Sequence, residues 1–456
     1  MTLASDARAI FWAGVEAVDP QRAVVRTVRR RGSSVWMGAR KLAPRNADLR
    51  IVAIGKAASA MADGATRAVG RRSESFVVTP RGYPGSKRGL PVTYGDHPVP
   101  GPASFRAGRG LLEFFRAGDP AAVYLFLLSG GGSAVAEVPA EGLSENDLTR
   151  TTECLLKSGA PIGAMNTLRR HLSRVKGGQL AVATGERPYA TLALSDVVGD
   201  APEEIASGPT VADPTTYRDA LEAIRRYDLG GQLPSRVLRH LRSGARGDIP
   251  ETPKPSWRRF RTASFELIGS NRHAVAASAQ RARDLGYGVE TVSAPIVGET
   301  APAATRFARK LLRTPSAAPR ALVGGGETTV TLGRRPGKGG RNQEFALAAA
   351  RILSGRSALV LSAGTDGVDG PTDAAGGWTD GNSWSKAARL GLDVRRAVDR
   401  HDAYPALSRL GSLLMTGPTG TNVTDLHVGL VLSKVSRSTG GSTTRGAVPS
   451  SRRRRS

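Results

Sequence analysis

Several stretches of this chain set charged side chains beside glycines at the ends of apolar runs, an arrangement suited to holding anions. Ile51-Val-Ala-Ile54 ends in Gly55-Lys56-Ala57. A lysine at the opening of a helix opposes the helix dipole by about 0.3–1 kcal/mol. It is either a solvated side chain or a point charge that shares a phosphate with the helix end. Val123-Tyr-Leu-Phe-Leu-Leu128 ends in Ser129-Gly130-Gly131-Gly132-Ser133, and Ala321-Leu-Val323 runs into Gly324-Gly-Gly-Glu327. Consecutive glycines turn the backbone sharply and let its N–H groups approach a ligand. Tight turns against a helix need the same residues, so one triplet is a weak signal. Two triplets, with acids and bases beside them, point to an enzyme that handles phosphate.

Other candidates follow strand-like runs. Ser195-Asp196 comes after Thr191 to Leu194, and open α/β sheets bind ligands beyond the carboxyl ends of their strands. Asp196 is there as a general base for a hydroxyl, a ligand to Mg²⁺, or a helix cap. Arg341, in Gly339-Gly-Arg-Asn-Gln-Glu344, could grip a carboxylate or phosphate with two parallel hydrogen bonds. The loop Gly364-Thr-Asp366-Gly-Val-Asp369-Gly-Pro-Thr-Asp373 carries three carboxylates, which suit either a hard cation or polar turns. Thr416 to Asp425 is a further loop of small residues, containing Asn422. No Walker A motif is present; Gly333-Arg-Arg-Pro-Gly337-Lys338-Gly339 lacks one residue and the Ser or Thr after lysine. No G-x-G-x-x-G fingerprint sits at a strand–helix junction, no G-x-S-x-G elbow occurs, and the six histidines lack metal-ligand spacing.

The elements that must position these residues alternate. Ile51 to Ile54, Phe76 to Thr79, Val123 to Leu128, Thr191 to Leu194, Phe265 to Ile268, Val289 to Val292, Ala321 to Val323, Ala358 to Leu361 and Leu426 to Leu432 are strand-like. Helical stripes lie between most of them, including Lys56 to Val69, Ser104 to Phe115 and Gln343 to Leu353. Ser144 with Asp147 forms a capping box. Asn166 is expected to cap a helix that buries Leu168, Leu172 and Val175 and presents Arg170 and Arg174 on the opposite face. The alternation predicts an α/β fold with a mostly parallel sheet covered on both faces. At 456 residues, two or three domains are expected. Pro250-Glu-Thr-Pro-Lys-Pro-Ser256 reads as a linker. The expected division is a first domain over 1–249, a linker over 250–257, a second domain over 258–434 whose final strands can pack back on the first, and a basic disordered tail over 435–456.

The longest apolar run, Ala121 to Leu128, is far shorter than the ~20 residues of a membrane span. With no basic segment and apolar core at the N-terminus, no secretory signal is read. Cys154, the single cysteine, excludes an intrachain disulfide and fits a reducing compartment. The formal charge of +26 would suit nucleic acid, yet aromatics for base stacking are only 5% and the arginines are scattered.

In order, Gly55-Lys56-Ala57, His97-Pro98-Val99-Pro100, Ser129 to Ser133, Asn166 with Arg169 to His171, Lys176-Gly-Gly178, Ser195-Asp196, Ser207-Gly-Pro-Thr210, Gly325-Gly-Glu-Thr-Thr329, Gly340-Arg-Asn-Gln-Glu344, Gly364 to Gly370 and Gly417 to Asn422 resemble the glycerate 2-kinase family, whose C-terminal half is called the MOFRL domain. The resemblance covers residues 8–433. Gly101 departs from it, since the family more often has Asp after His-Pro-Val-Pro. The resemblance implies ATP-dependent phosphorylation of D-glycerate on its 2-hydroxyl, with Mg²⁺. It implies two α/β domains, a Rossmann-like N-terminal parallel sheet and the MOFRL domain, with the site in the cleft between them. Matched onto this sequence, it implies catalytic roles for Lys56 and Arg341. Asp196 is the expected acceptor of the hydroxyl proton. Ser129, Gly130, Gly131, Gly132, Ser133, Asn166, Arg170 and Asn422 are expected to bind substrate or phosphate, and Glu327 and Asp366 a metal. A cytoplasmic enzyme, monomer or homodimer, without membrane or nucleic-acid partners is expected. The rivals are an NAD(P)-dependent hydroxypyruvate reductase, which the missing fingerprint opposes, and a basic nucleic-acid-binding protein on an inactive kinase scaffold.

Overall fold

The structure, a computed structural model, describes residues 2–44, 47–70, 73–313 and 318–432. The expected tail over 435–456 lies outside the described residues. Six strands form the first sheet: β1 (Leu49–Ile54), β2 (Ser75–Pro80), β3 (Val92–Gly95), β4 (Val123–Leu128), β5 (Tyr189–Leu194) and β6 (Ser264–Gly269). All neighbours are parallel, in the order β3-β2-β1-β4-β5-β6. Every residue of β1, β4 and β5 is buried, as continuous apolar strands in a sheet covered on both faces should be. The order reverses between β1 and β4, which opens a crevice at their carboxyl ends. Lys56 follows β1 and Ser129 follows β4, so both loops flank that crevice.

The second sheet contains β7 (Gly288–Thr291), β8 (Ile296–Glu299), β9 (Arg320–Thr329), β10 (Ala358–Gly364), β11 (Gly376–Asp380), β12 (Leu413–Leu414) and β13 (Asp425–Val431). Its order is β7-β9-β13-β10-β11-β12, with β8 also paired to β9. This sheet is mixed rather than mostly parallel. The last strand, β13, does not pack back on the first sheet. It inserts antiparallel between β9 and β10, with Asp425 opposite Gly326 on one side and Gly364 on the other. The amino end of β13 therefore lies beside the carboxyl ends of two strands that carry candidate residues.

The halves exchange their ends. Ser264–Gly269, expected within the second half, completes the first sheet as β6. The expected linker is docked on the first half: Thr252 is buried and donates to Asp213 at 2.9 Å, and Asp213 N–H donates to the Pro253 carbonyl at 2.9 Å. The chain leaves for the second half at Ser270, before helix Asn271–Asp284. Conversely, helix Leu3–Ala17 packs on the second half. Ser278 Oγ donates to the Ile10 carbonyl at 2.9 Å, Tyr287 Oη to Asp6 at 2.8 Å, and Thr421 Oγ1 to the Val18 carbonyl at 2.8 Å. One apolar cluster joins Phe11 to Ile51, Leu125 and Leu192 of the first sheet and to Val323, Leu361 and Val428 of the second.

Gly14 lets the first helix approach this closely. A Cβ there would lie 2.4 Å from Ser278 Oγ and 2.7 Å from Leu426 Cδ1. Gly14→Val is expected to destabilise the protein by about 1–3 kcal/mol in urea unfolding. An unchanged midpoint would contradict this docking.

Candidate active site

At the crevice of the first sheet, two loops are clasped together. Lys56 N–H donates to the Gly130 carbonyl at 2.9 Å, and Ala57 N–H to Ser129 Oγ at 3.0 Å. Gly130 admits the Asp196 loop: a Cβ there would fall 1.7 Å from Asp196 Oδ2. Among the described residues, the Gly130 and Gly131 N–H groups meet no acceptor, although Gly130 is buried. Buried N–H groups without partners are rare, and the one on Gly130 sits in the loop clasped to Lys56. The half-buried Lys56 side chain passes Gly131, whose Cβ position lies 3.2 Å from Lys56 Cε and 3.3 Å from His97 Nε2. The Lys56 ammonium makes no hydrogen bond or ion pair among the described residues. His97 is pushed down to about 4 by desolvation first, then by Lys56 and Arg169.

Arg341 opens helix Arg341–Leu353 in the second half. Its Nε and Nη2 donate to Asp425 at 2.7 and 3.0 Å, and its Nη1 lies 2.9 Å from Glu327. Burial alone would lower its pKa, but Asp425 and Glu327 overcome that and hold it charged. Asp425 is fully buried and also accepts from Asn342 Nδ2 at 2.9 Å. Asn342 in turn accepts from Ser362 Oγ at 2.6 Å, and Ser362 meets His427 Nδ1 at 2.9 Å. His427 stacks on Phe345 with centroids 4.2 Å apart.

The two halves share one electrostatic site. Burial raises Asp196, Lys56 opposes the rise, and Asp366 of the second half adds to it. Burial likewise raises Asp366, which feels repulsion from Asp425 and attraction from both Lys56 and Arg341. Glu327 is raised by burial and by Asp425 and Asp196, against Arg341.

Lys56, Asp196, Arg341, Glu327, Asp366 and the Ser129–Ser133 loop thus converge. Asn422 lies three residues before Asp425, its Oδ1 accepting from Thr424 N–H at 3.0 Å and its amide nitrogen without a hydrogen bond among the described residues. Two expectations need correction. Asn166 does not cap a helix; it sits within helix Ile162–His171. Its Oδ1 accepts from Ser207 Oγ at 2.9 Å, and Ser207 pairs with Ser133 Oγ at 2.8 Å, so Asn166 braces the loop from behind. Arg170 is not on a surface face but 1% exposed. Its Nε lies 3.0 Å from Asp213 and its Nη1 donates to the Glu203 carbonyl at 2.9 Å and Glu204 at 3.3 Å, so its role is structural. The helix starts earlier than expected and ends before Leu172; Leu168, Leu172 and Val175 are buried as expected, and Arg170 is buried as well.

The second glycine triplet is also no cradle. It lies inside β9, where Cβ atoms on Gly325 and Gly326 would meet Asn271 Oδ1 at 2.1 Å and the Ile296 carbonyl at 2.2 Å. These glycines serve close packing. Sequence reasoning did not select Asp425 or Arg169 as site residues. A lone acid heading the apolar run Leu426 to Leu432 is the signal that could have marked Asp425.

An open α/β sheet with an anion-ready loop at its switch point faces a second sheet that supplies an arginine and carboxylates. That combination defines a cleft enzyme suited to moving a charged group. Family descriptions match on both sides: a domain of unknown function, DUF4147, over residues 6–242, and the MOFRL family over 320–425. A glycerate 2-kinase of Pyrococcus horikoshii is 39% identical over 93% of this chain and 96% of its own. A putative hydroxypyruvate reductase of Agrobacterium vitis is 37% identical over 93% of each. The crystal structure of a glycerate kinase from Thermotoga maritima superposes with a TM-score of 0.81 at 36% identity, covering 94% of this chain and 99% of that one. The chain belongs to the glycerate 2-kinase family.

Asp369 fixes the start of the Arg341 helix, accepting from Asn342 and Gln343 N–H at 3.0 and 2.8 Å. Burial pushes its carboxyl up to about 7, against those hydrogen bonds. An unfolded aspartate titrates near ~3.9. The folded state therefore holds the extra proton between about pH 4 and 7, and stability falls as pH rises through that window. Relative to Asp369→Asn, the wild type should lose up to about 1.4 kcal/mol per pH unit there in urea unfolding. Parallel pH profiles would exclude this titration.

Proposed function

We propose that this protein transfers the γ-phosphoryl group of ATP to the 2-hydroxyl of D-glycerate, giving 2-phosphoglycerate and ADP. The observation that carries the reading is the glycine loop at the switch point of the first sheet, whose Gly130 and Gly131 N–H groups meet no acceptor among the described residues and which packs against Lys56, in a chain related to glycerate 2-kinases. Phosphoryl transfer asks mainly for positioning and for neutralisation of developing charge. Lys56, whose ammonium lies 6.0 Å from the Tyr83 ring centroid and makes no hydrogen bond or ion pair among the described residues, and Arg341, locked by Asp425, supply positive charge on two sides of the transferred group. The free Gly130 and Gly131 N–H groups, with Ser129 and Ser133 framing them, provide backbone donors for phosphate or carboxylate oxygens. Asn422, three residues before Asp425, adds a neutral amide. Asp196 accepts the hydroxyl proton, and its raised pKa makes it a stronger base than an exposed aspartate.

Mg²⁺ is the proposed companion of ATP. Among the described residues no group of three or more His, Cys, Asp or Glu forms a metal cage. That fits an ion that takes one or two carboxylates and completes its shell with phosphate and water. Asp366 and the Glu327 oxygen not facing Arg341 would hold it, and it would neutralise phosphate charge. Location in the cytoplasm belongs to the same reading; no helix among the described residues is long and apolar enough to cross a membrane.

The relative named as a hydroxypyruvate reductase raises the dinucleotide alternative, and the first sheet has the strand order of dinucleotide-binding folds. The first crossover loop opposes it. The N–H groups of Lys56 and Ala57, which a pyrophosphate would need, already bond Gly130 and Ser129.

Incubation with ATP, Mg²⁺ and D-glycerate should yield 2-phosphoglycerate, identified by phosphorus NMR, with no NADH oxidation on hydroxypyruvate. No phosphorylated product would sink the proposal, and 3-phosphoglycerate would overturn the regiochemistry. Lys56→Ala and Arg341→Ala should each lower kcat about 100-fold or more. Asp196→Asn should lower it about 10²–10⁴-fold.

A further inference from the structure

Helix Ile162–His171 carries two adjacent arginines with opposite fates. Arg170 is consumed by Asp213, Glu203 and Glu204. Arg169 is half-buried and, among the described residues, makes no hydrogen bond or ion pair. The carboxylate that acts on it, Glu137, is already occupied by Lys176, by Ser173 Oγ and by Val138 N–H at 3.0 Å. A guanidinium with five donors, partly removed from water and given no acceptor, is expensive unless a ligand supplies one.

Its surroundings say which ligand. Arg169 and Lys56 act together on His97, and His97 and Lys56 both border Gly131. Arg169 stands one helical turn beyond Asn166 in helix Ile162–His171, on the first-sheet side of the cleft. Its helix is tied to that loop through Asn166, Ser207 and Ser133. Lys56 and Arg341 are the cations assigned to the transferred phosphoryl group. The acceptor brings a second anion, its carboxylate, and a planar guanidinium matches a carboxylate through two parallel hydrogen bonds.

We propose that Arg169 binds the carboxylate of a small 2-hydroxy acid and thereby sets the acceptor specificity of the site; this rests on the kinase reading above. The acceptor then lies along the Ser129–Ser133 loop with its 2-hydroxyl directed toward Asp196. Discrimination against an alcohol of the same size without a carboxylate, such as glycerol, comes from leaving this guanidinium unpaired.

The test compares wild type, Arg169→Ala and Arg169→Lys in steady-state kinetics with D-glycerate, ATP and glycerol. Arg169→Ala should raise KM for D-glycerate about 10- to 100-fold. KM for ATP should stay within about threefold of wild type, and the preference for D-glycerate over glycerol should collapse by a similar factor. Arg169→Lys should recover part of the loss. Unchanged KM for D-glycerate, or a rise in KM for ATP instead, overturns the assignment. Calorimetric titration of D-glycerate separates it from the kinase reading, because binding needs no turnover. A wild type that binds D-glycerate without phosphorylating it sinks the kinase reading, while loss of binding in Arg169→Ala still supports the carboxylate contact. A wild type that does not bind D-glycerate overturns both.

Discussion

The site depends on one buried carboxylate. Asp425 is wholly removed from water at the point where β13 enters between β9 and β10. An ionised carboxylate in such a place is costly unless paired and hydrogen-bonded. Arg341 meets it with two hydrogen bonds and Asn342 with a third. The pairing works in both directions. Asp425 is tolerable because Arg341 is there, and Arg341 has one orientation because Asp425 cannot move without disturbing the central strand. The hydrogen bonds behind Asn342, through Ser362 to His427 stacked on Phe345, extend that rigidity into the core. A fixed positive charge needs no reorganisation when charge develops beside it, which is the requirement of phosphoryl transfer.

The first half uses the opposite device. Among the described residues no carboxylate pairs with Lys56; it is placed by backbone. Its own N–H is tied to Gly130, and the absence of a Cβ on Gly130 lets Asp196 close over the loop. The Gly130 and Gly131 N–H groups meet no acceptor among the described residues, although Asp196 and the Lys56 side chain pack against those glycines. Fixed arginine on one side and adaptable lysine on the other suit a group that travels from donor to acceptor.

Lys56 and Asp196 are legible in the sequence because each follows an apolar run, and strand ends are where such a fold binds ligands; Arg341 is marked instead by a glycine-rich loop ahead of a helix. The same rule misread the second triplet. Gly324 to Gly326 continue β9 because β8 pairs with its final residues and Asn271 packs against it, and both contacts come from distant segments. Arg170 lies opposite Leu168 and Leu172, as the spacing predicts, but that side of helix Ile162–His171 is covered too, by Asp213, Glu203 and Glu204 from a distant segment. Arg169 could not be chosen by spacing, since its meaning lies in having no hydrogen-bond or ion-pair partner among the described residues; Asp425 heads an apolar run, but its meaning comes from Arg341, far away in sequence. The crossing of β6 into the first sheet and of the first helix onto the second was hidden likewise; a proline-rich segment looks like a linker whether or not it is docked.

The charge balance of the cleft also bears on the +26 of the whole chain. Lys56, Arg169 and Arg341 face Asp196, Asp366, Glu327 and Asp425, so the cleft is close to neutral while the chain is strongly basic. A groove for a nucleic-acid backbone gains affinity by releasing counterions from many phosphates, and four carboxylates along it would oppose that. A small anion whose phosphate end takes Lys56 and Arg341 and whose carboxylate end takes a third cation, with a base between them, makes the opposite demand. Acids among the cations keep the site from holding product too firmly and leave a carboxylate within reach of a proton. The excess positive charge is then a property of the surface, and the cleft is set apart from it by carboxylates that the fold holds partly buried and raised in pKa.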